Sequence, residues 1–291
     1  MLNGIETALN EITLVLFTTL VPSGMFACML VALYLLVVPI EEEKRQDISQ
    51  FTVIPLTISM VGLIASATHL GNPGNALYVF LGVGRSPLSN EVFFAVLFLA
   101  FTGLFWLFSF SRKQKKVFRK IWLAFIIASA IAGIHSIAFA YEVRTIISWN
   151  TVFIPINLWL NAAVGGPLLA LFTLQLAKAP KLAEGKFARA LIVLSVTATV
   201  SNALSMLAQN TLLPTIENSL GSVADLVPFY GVFICFFVLF AASALVIYGW
   251  SIFRGKLPSL WLSAFGCLLA LIGIFLTRFA FYMMHLTLGL G

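Results

Sequence analysis

His69 and Glu91 are the residues of this chain best suited to proton chemistry, an imidazole closing one apolar segment and a carboxylate beginning the next. The chain between them runs His69-Leu70-Gly71-Asn72-Pro73 and later Val83-Gly84-Arg85-Ser86-Pro87-Leu88-Ser89-Asn90-Glu91. Ionisable groups at membrane depth cost roughly 3 kcal/mol or more unless paired or hydrated, so they are functional candidates. Imidazole titrates nearest neutrality. An imidazole and a carboxylate brought to one membrane surface are what proton transfer with a lipid-soluble substrate needs.

The elements that must position them are almost entirely apolar. Of 291 residues, 60% are hydrophobic and only 10% charged, against about 25% charged in a soluble domain. Apolar runs of about 20 residues read as spanning helices. Eight are expected, at approximately 12–38, 51–70, 91–110, 119–141, 152–177, 187–209, 227–250 and 258–284. The gaps are too short for a further domain, so residues 1–291 read as one all-α integral membrane bundle. Residues 1–10 read as a short tail into the first helix. The first basic residue is Lys44, so the basic start of a signal peptide is missing.

Basic residues set the orientation. The gaps after helices 1, 3, 5 and 7 hold 14 of the 17 Lys and Arg, leaving Arg85, Arg144 and Arg278. By the positive-inside rule those four loops are cytoplasmic and both termini lie outside. The net charge of +6 is then topogenic rather than a nucleic-acid footprint. Cys28, Cys235 and Cys267 lie within apolar helices without Cys-x-x-Cys spacing. They read as small buried hydrophobes, with no iron–sulfur or zinc framework.

Sorted by depth, the polar residues collect at the outer ends of the helices. They are His69, Glu91, His135, Tyr141, Glu142, Arg144, Asn157, Asn161, Gln209, Asn210, Arg278, Tyr282 and His285. Several have ordinary explanations. Glu91 following Ser89-Asn90 could be an acid favoured by the helix dipole, and Glu142 and Arg144 read as solvated interface residues. His135 reads as a hydrogen-bonded core histidine. Arg278 either snorkels outward or pairs inside the bundle. Gly165-Gly166-Pro167 predicts a kink or tight crossing in helix 5. The apolar gap Leu77-Tyr78-Val79-Phe80 should lie along the interface or fold over the bundle.

At these residues the chain resembles the membrane-anchor subunit family of dimethyl sulfoxide reductase. The resemblance rests on His69-Leu70-Gly71 with Pro73, on Leu88-Ser89-Asn90-Glu91, and on Gly165-Gly166-Pro167-Leu168-Leu169. A C-terminal Arg278-x-x-Phe281-Tyr282-x-x-His285-x-Thr287 and an opening Asn10-Glu11, Leu14, Phe17-Thr18 extend it over nearly the whole chain. Asn10 stands where members commonly carry histidine, and Pro22 where glutamine is usual.

The resemblance implies a bacterial inner-membrane anchor that oxidises menaquinol for a four-cluster iron–sulfur subunit and a molybdopterin catalytic subunit. It associates the positions of His69 and Glu91 with quinol oxidation. On this reading the quinol-contacting residues are His69, Glu91, Arg278, Tyr282, His285, Arg85 and Glu11. Neutral His69 would accept a hydroxyl proton, Glu91 would pass protons outward, and Arg278 or Arg85 would stabilise developing quinolate charge. No haem, cluster or metal is expected in this chain. Two rivals remain at this stage. A secondary transporter should show inverted repeats and midplane charges. A haem b anchor could use histidines from three helices, and a reduced-minus-oxidised spectrum would reveal it.

Overall fold

The computed structural model describes residues 4–69, 73–111, 116–219 and 221–287. Among the described residues, eight helices are long and apolar enough to cross a membrane. Such helices satisfy their own backbone groups, as hydrocarbon requires. The chain begins with α1 (Gly4–Asn10) and α2 (Ile12–Val37), followed by α3 (Glu42–Phe51), α4 (Val53–Thr68), α5 (Pro87–Phe108) and α6 (Lys116–Ala140). It continues with α7 (Phe153–Leu176), α8 (Lys186–Leu212), a short α9 (Val223–Leu226), α10 (Tyr230–Ile252) and α11 (Leu260–Met283). A two-stranded ribbon, β1 (Glu217–Asn218) and β2 (Gly221–Ser222), precedes α9.

The spans pack as two groups of four in chain order. Helices α2, α4, α5 and α6 form one half, and α7, α8, α10 and α11 the other. The halves meet where α2 lies against α7 and α11, and α6 against α7. Helices α2 and α7 are the most buried of the spans. The seam is tight because small residues line it, as expected where lipid offers no hydrophobic drive between helices. A Cβ on Gly166 would stand 2.6 Å from the Phe26 Cβ. The Gly165-Gly166-Pro167 stretch is therefore a close crossing within a continuous helix.

Several expectations need correction. Residues 4–10 are helical and pack on α11, rather than forming a plain tail. The second span is broken between α3 and α4 at Thr52 and stops at Thr68; Leu70 and the expected turn at Gly71 lie outside the described residues. Residues 112–115, in the basic loop after the third span, lie outside them too. The gap after α4 carries a 3₁₀ segment, Pro73–Gly82, with Leu77, Tyr78 and Leu81 exposed. Cys235 is exposed on α10, whereas Cys28 and Cys267 are buried. His135 is not a core residue: it is exposed on α6, its ring 4.5 Å from that of Phe139.

The start of α5 matters most. Ser86 is its N-cap, accepting from the Ser89 amide at 3.4 Å, and Pro87 opens the helix. Proline suits that first position because its missing N–H has no partner there anyway. Glu91 is therefore the fifth residue of the helix, beyond the first turn in which the dipole acts on side chains. It is also only 1% exposed. A dipole partner at a wet helix start does not describe it.

Candidate functional site

Two polar groups lie at the end of the bundle where α4 and α6 stop and α5 and α7 begin. The first is at its surface. Glu11, between α1 and α2, brings Oε2 to 3.2 Å from His69 Nε2 at the C-terminus of α4. The side chains are 31% and 43% exposed, so a molecule at the membrane surface can reach both.

The second group lies deeper, on the seam. Glu11 and Thr18 are seven residues apart, which is two turns and about 10 Å along one face of a helix. The Thr18 hydroxyl donates to Leu14 O at 2.9 Å and accepts from Arg278 Nε at 3.0 Å. Arg278 is 2% exposed. Its guanidinium carbon lies 4.1 Å from the Phe281 ring centre and 5.7 Å from the rings of Tyr141 and Tyr282. Glu91 from α5 interacts electrostatically with the same guanidinium.

Four helices or helix ends thus deliver a carboxyl group, a guanidinium, a hydroxyl and two phenols to a single buried spot. A buried polar atom normally has a partner, and each exception calls for an explanation. Here Glu91 Oε2, Arg278 Nη2 and the Tyr282 hydroxyl have no well-formed hydrogen bond among the described residues. Their unmet capacity fits a site shaped for a polar molecule or water. An arginine with a free donor and a carboxylate with a free acceptor can together stabilise an oxyanion and take up a proton.

Arg278 also borders a second polar network. Asn157 Nδ2 donates to Gln209 Oε1 at 2.9 Å, and the Tyr230 hydroxyl donates to the same oxygen at 3.0 Å. One turn deeper, Asn161 Nδ2 donates to Thr277 Oγ1 at 3.0 Å and Asn202 Nδ2 to Asn161 Oδ1 at 2.6 Å. These bonds join α7, α8, α10 and α11. A cavity of about 10 Å³ between this network and Arg278 has room for roughly one water molecule.

The other candidates lie apart from this group. Arg85 is exposed on the turn before α5, next to Gly84 with φ 83°. His285 is beyond the end of α11 and packs edge-on against Trp149 at 5.1 Å, so the face expected to join it to Arg278 and Tyr282 ends with the helix. Thr18 and Tyr141 are the members that residue chemistry alone did not single out. Thr18 was detectable by its seven-residue spacing from Glu11. Tyr141 was visible only as one polar residue of the outer layer.

Comparison with known proteins finds relatives over most of the chain. The family model described as DMSO reductase anchor subunit (DmsC) matches residues 5–284. The C subunit of the anaerobic dimethyl sulfoxide reductase of Escherichia coli (strain K12) is 31% identical over 232 residues, covering 79% of each protein. The YnfH subunit of an anaerobic dimethyl sulfoxide reductase of the same organism is 29% identical over 79% of this chain and 80% of its own length. The corresponding C subunit of Haemophilus influenzae is 26% identical over 98% of both proteins.

Proposed function

The chain belongs to the DMSO reductase anchor subunit family, and from that premise we propose that it oxidises menaquinol at the histidine-bearing end of the bundle. It is a multi-pass membrane protein whose family role is to anchor a reductase to the membrane. On this reading the electrons pass to a four-cluster iron–sulfur subunit and then to a molybdopterin catalytic subunit. Both partners dock on the periplasmic face of the bacterial inner membrane, where both termini of this chain also lie.

Oxidising a quinol to a quinone releases two protons and two electrons, so each hydroxyl needs a proton acceptor. His69, oriented by Glu11, takes the proton of one hydroxyl near the surface. Glu91 takes the other, and the free Arg278 donor opposes the negative charge that develops on the ring oxygen. Thr18 holds Arg278, and the unpartnered Tyr282 hydroxyl is left to bind substrate or water beside it. The observation that carries this reading is the vertical pairing itself, Glu11–His69 at the surface with Thr18–Arg278–Glu91 two turns below.

The test is His69→Ala in the assembled complex, with a menaquinol analogue and a soluble reduced dye as alternative donors. Quinol-driven turnover should fall by about 100-fold or more, as for loss of a general base, while dye-driven turnover stays normal. Equal rates with both donors would refute the assignment.

A further inference from the structure

At the opposite, basic end of the bundle, the last turn of α2 and the first turn of α8 border a groove of about 870 Å³. Tyr34 forms part of its lining, and its hydroxyl donates to Pro180 O at 3.2 Å, tying the loop before α8 to α2. Val37, Phe187 and Ala190 give it apolar walls, and Lys44, Lys181 and Lys186 line it with ammonium groups. The groove therefore bridges the two halves of the bundle on the face away from the Arg278 group.

Its charge indicates what fits. Lys44 is partly neutralised by Asp47 at 3.1 Å. Lys181 and Lys186 are exposed, and neither is ion-paired among the described residues. Glu41 is the one carboxylate in the lining among the described residues, so positive charge is in excess. The first amides of α8 add to it, because Gly185 offers no side-chain cap to them. An apolar trough in the membrane with ammonium groups at headgroup level matches a phosphodiester joined to acyl chains.

We propose that this groove binds an anionic phospholipid. Its phosphate is held by Lys181 and Lys186, and an acyl chain lies along Val37, Phe187 and Ala190, clamping α2 of one half to α8 of the other. The inference is independent of the quinol reading, since it uses different residues at the other membrane surface.

The test is native mass spectrometry of the full-length protein in nonionic detergent, titrated with short-chain phosphatidylglycerol or with phosphatidylcholine of matched acyl length. Phosphatidylglycerol should bind more tightly. Lys181→Gln should weaken it about five-fold, and Lys181→Gln with Lys186→Gln about thirty-fold. Lys120→Gln, an exposed lysine outside the groove, should leave binding unchanged. Ala190→Trp, which fills the trough but keeps the charges, should remove both lipids, and it provides the test if the double variant does not fold. Equal affinity for the two lipids, or unchanged binding in the lysine variants, would overturn the proposal. So would lysine-dependent binding of inorganic phosphate as tight as that of phosphatidylglycerol and retained in Ala190→Trp, since that would indicate a plain anion site.

Discussion

Thr18 on α2 and Arg278 on α11, 260 residues apart in the sequence, are joined by a 3.0 Å hydrogen bond from guanidinium to hydroxyl. The bond crosses the seam between the two halves and fixes the buried cation beside Glu91. The same hydroxyl is anchored to its own helix through Leu14 O, so the arginine is held by a group that is itself held.

Thr18→Val keeps the shape of the side chain and removes the acceptor. Leaving a buried donor unsatisfied costs about 1–3 kcal/mol, so the thermal midpoint of the purified protein should fall. Quinol-driven turnover should fall with it, and Thr18→Ser should restore both. A valine variant with normal stability and turnover would show that the bond does not position Arg278.

Glu91→Gln separates charge from volume. As general base the residue should be worth about 100-fold or more in quinol oxidation. The complex should still assemble and turn over with a soluble donor, because the amide fits the same space. If quinol rates stay within a few-fold of normal, Glu91 is only a packed polar residue of α5.

Gly166 should tolerate no side chain, whereas Gly103 should accept one. A Cβ at Gly166 meets Phe26 at the α2–α7 crossing, while among the described residues nothing lies within 4 Å of a Cβ at Gly103 on α5. Gly166→Ala is expected to cost about 1–3 kcal/mol through overpacking. Gly103→Ala should stabilise the protein by up to about 1 kcal/mol through helix propensity. Thermal unfolding of the two variants in one detergent compares them directly.

Alkaline phosphatase fused after Gly291 should be active, because the 14-to-3 partition of basic residues directs both termini outward. A cytoplasmic reporter at the same point should be silent. The opposite pattern would invert the bundle and place the His69 group on the cytoplasmic side.

The sequence determined the depth of each residue. Apolar length marked eight spans to within a few residues at most ends, because a hydrocarbon slab of fixed thickness sets that length. Alternation of the spans then put Glu11, His69, Glu91 and Arg278 at one end and the lysine-rich loops at the other. The start of α5 was also legible in principle, in the Ser86 cap and Pro87 at the first position. Reading Glu91 as a helix start missed that signal, and with it the burial of the carboxylate.

The sequence could not determine how the helices face one another in the membrane plane. A spanning helix is apolar all round, so its pattern does not say which side meets protein and which meets lipid. His135 therefore read as core yet is exposed on α6, and Cys235 likewise on α10. Lateral position depends on where small residues let helices approach and where polar side chains find partners across them. Those contacts, Gly166 against Phe26 and Arg278 against Thr18, exist only once the two halves have docked. Hydropathy fixed each residue along the membrane normal, and only packing decided that Thr18, Glu91, Tyr141, Arg278 and Tyr282 share one buried site.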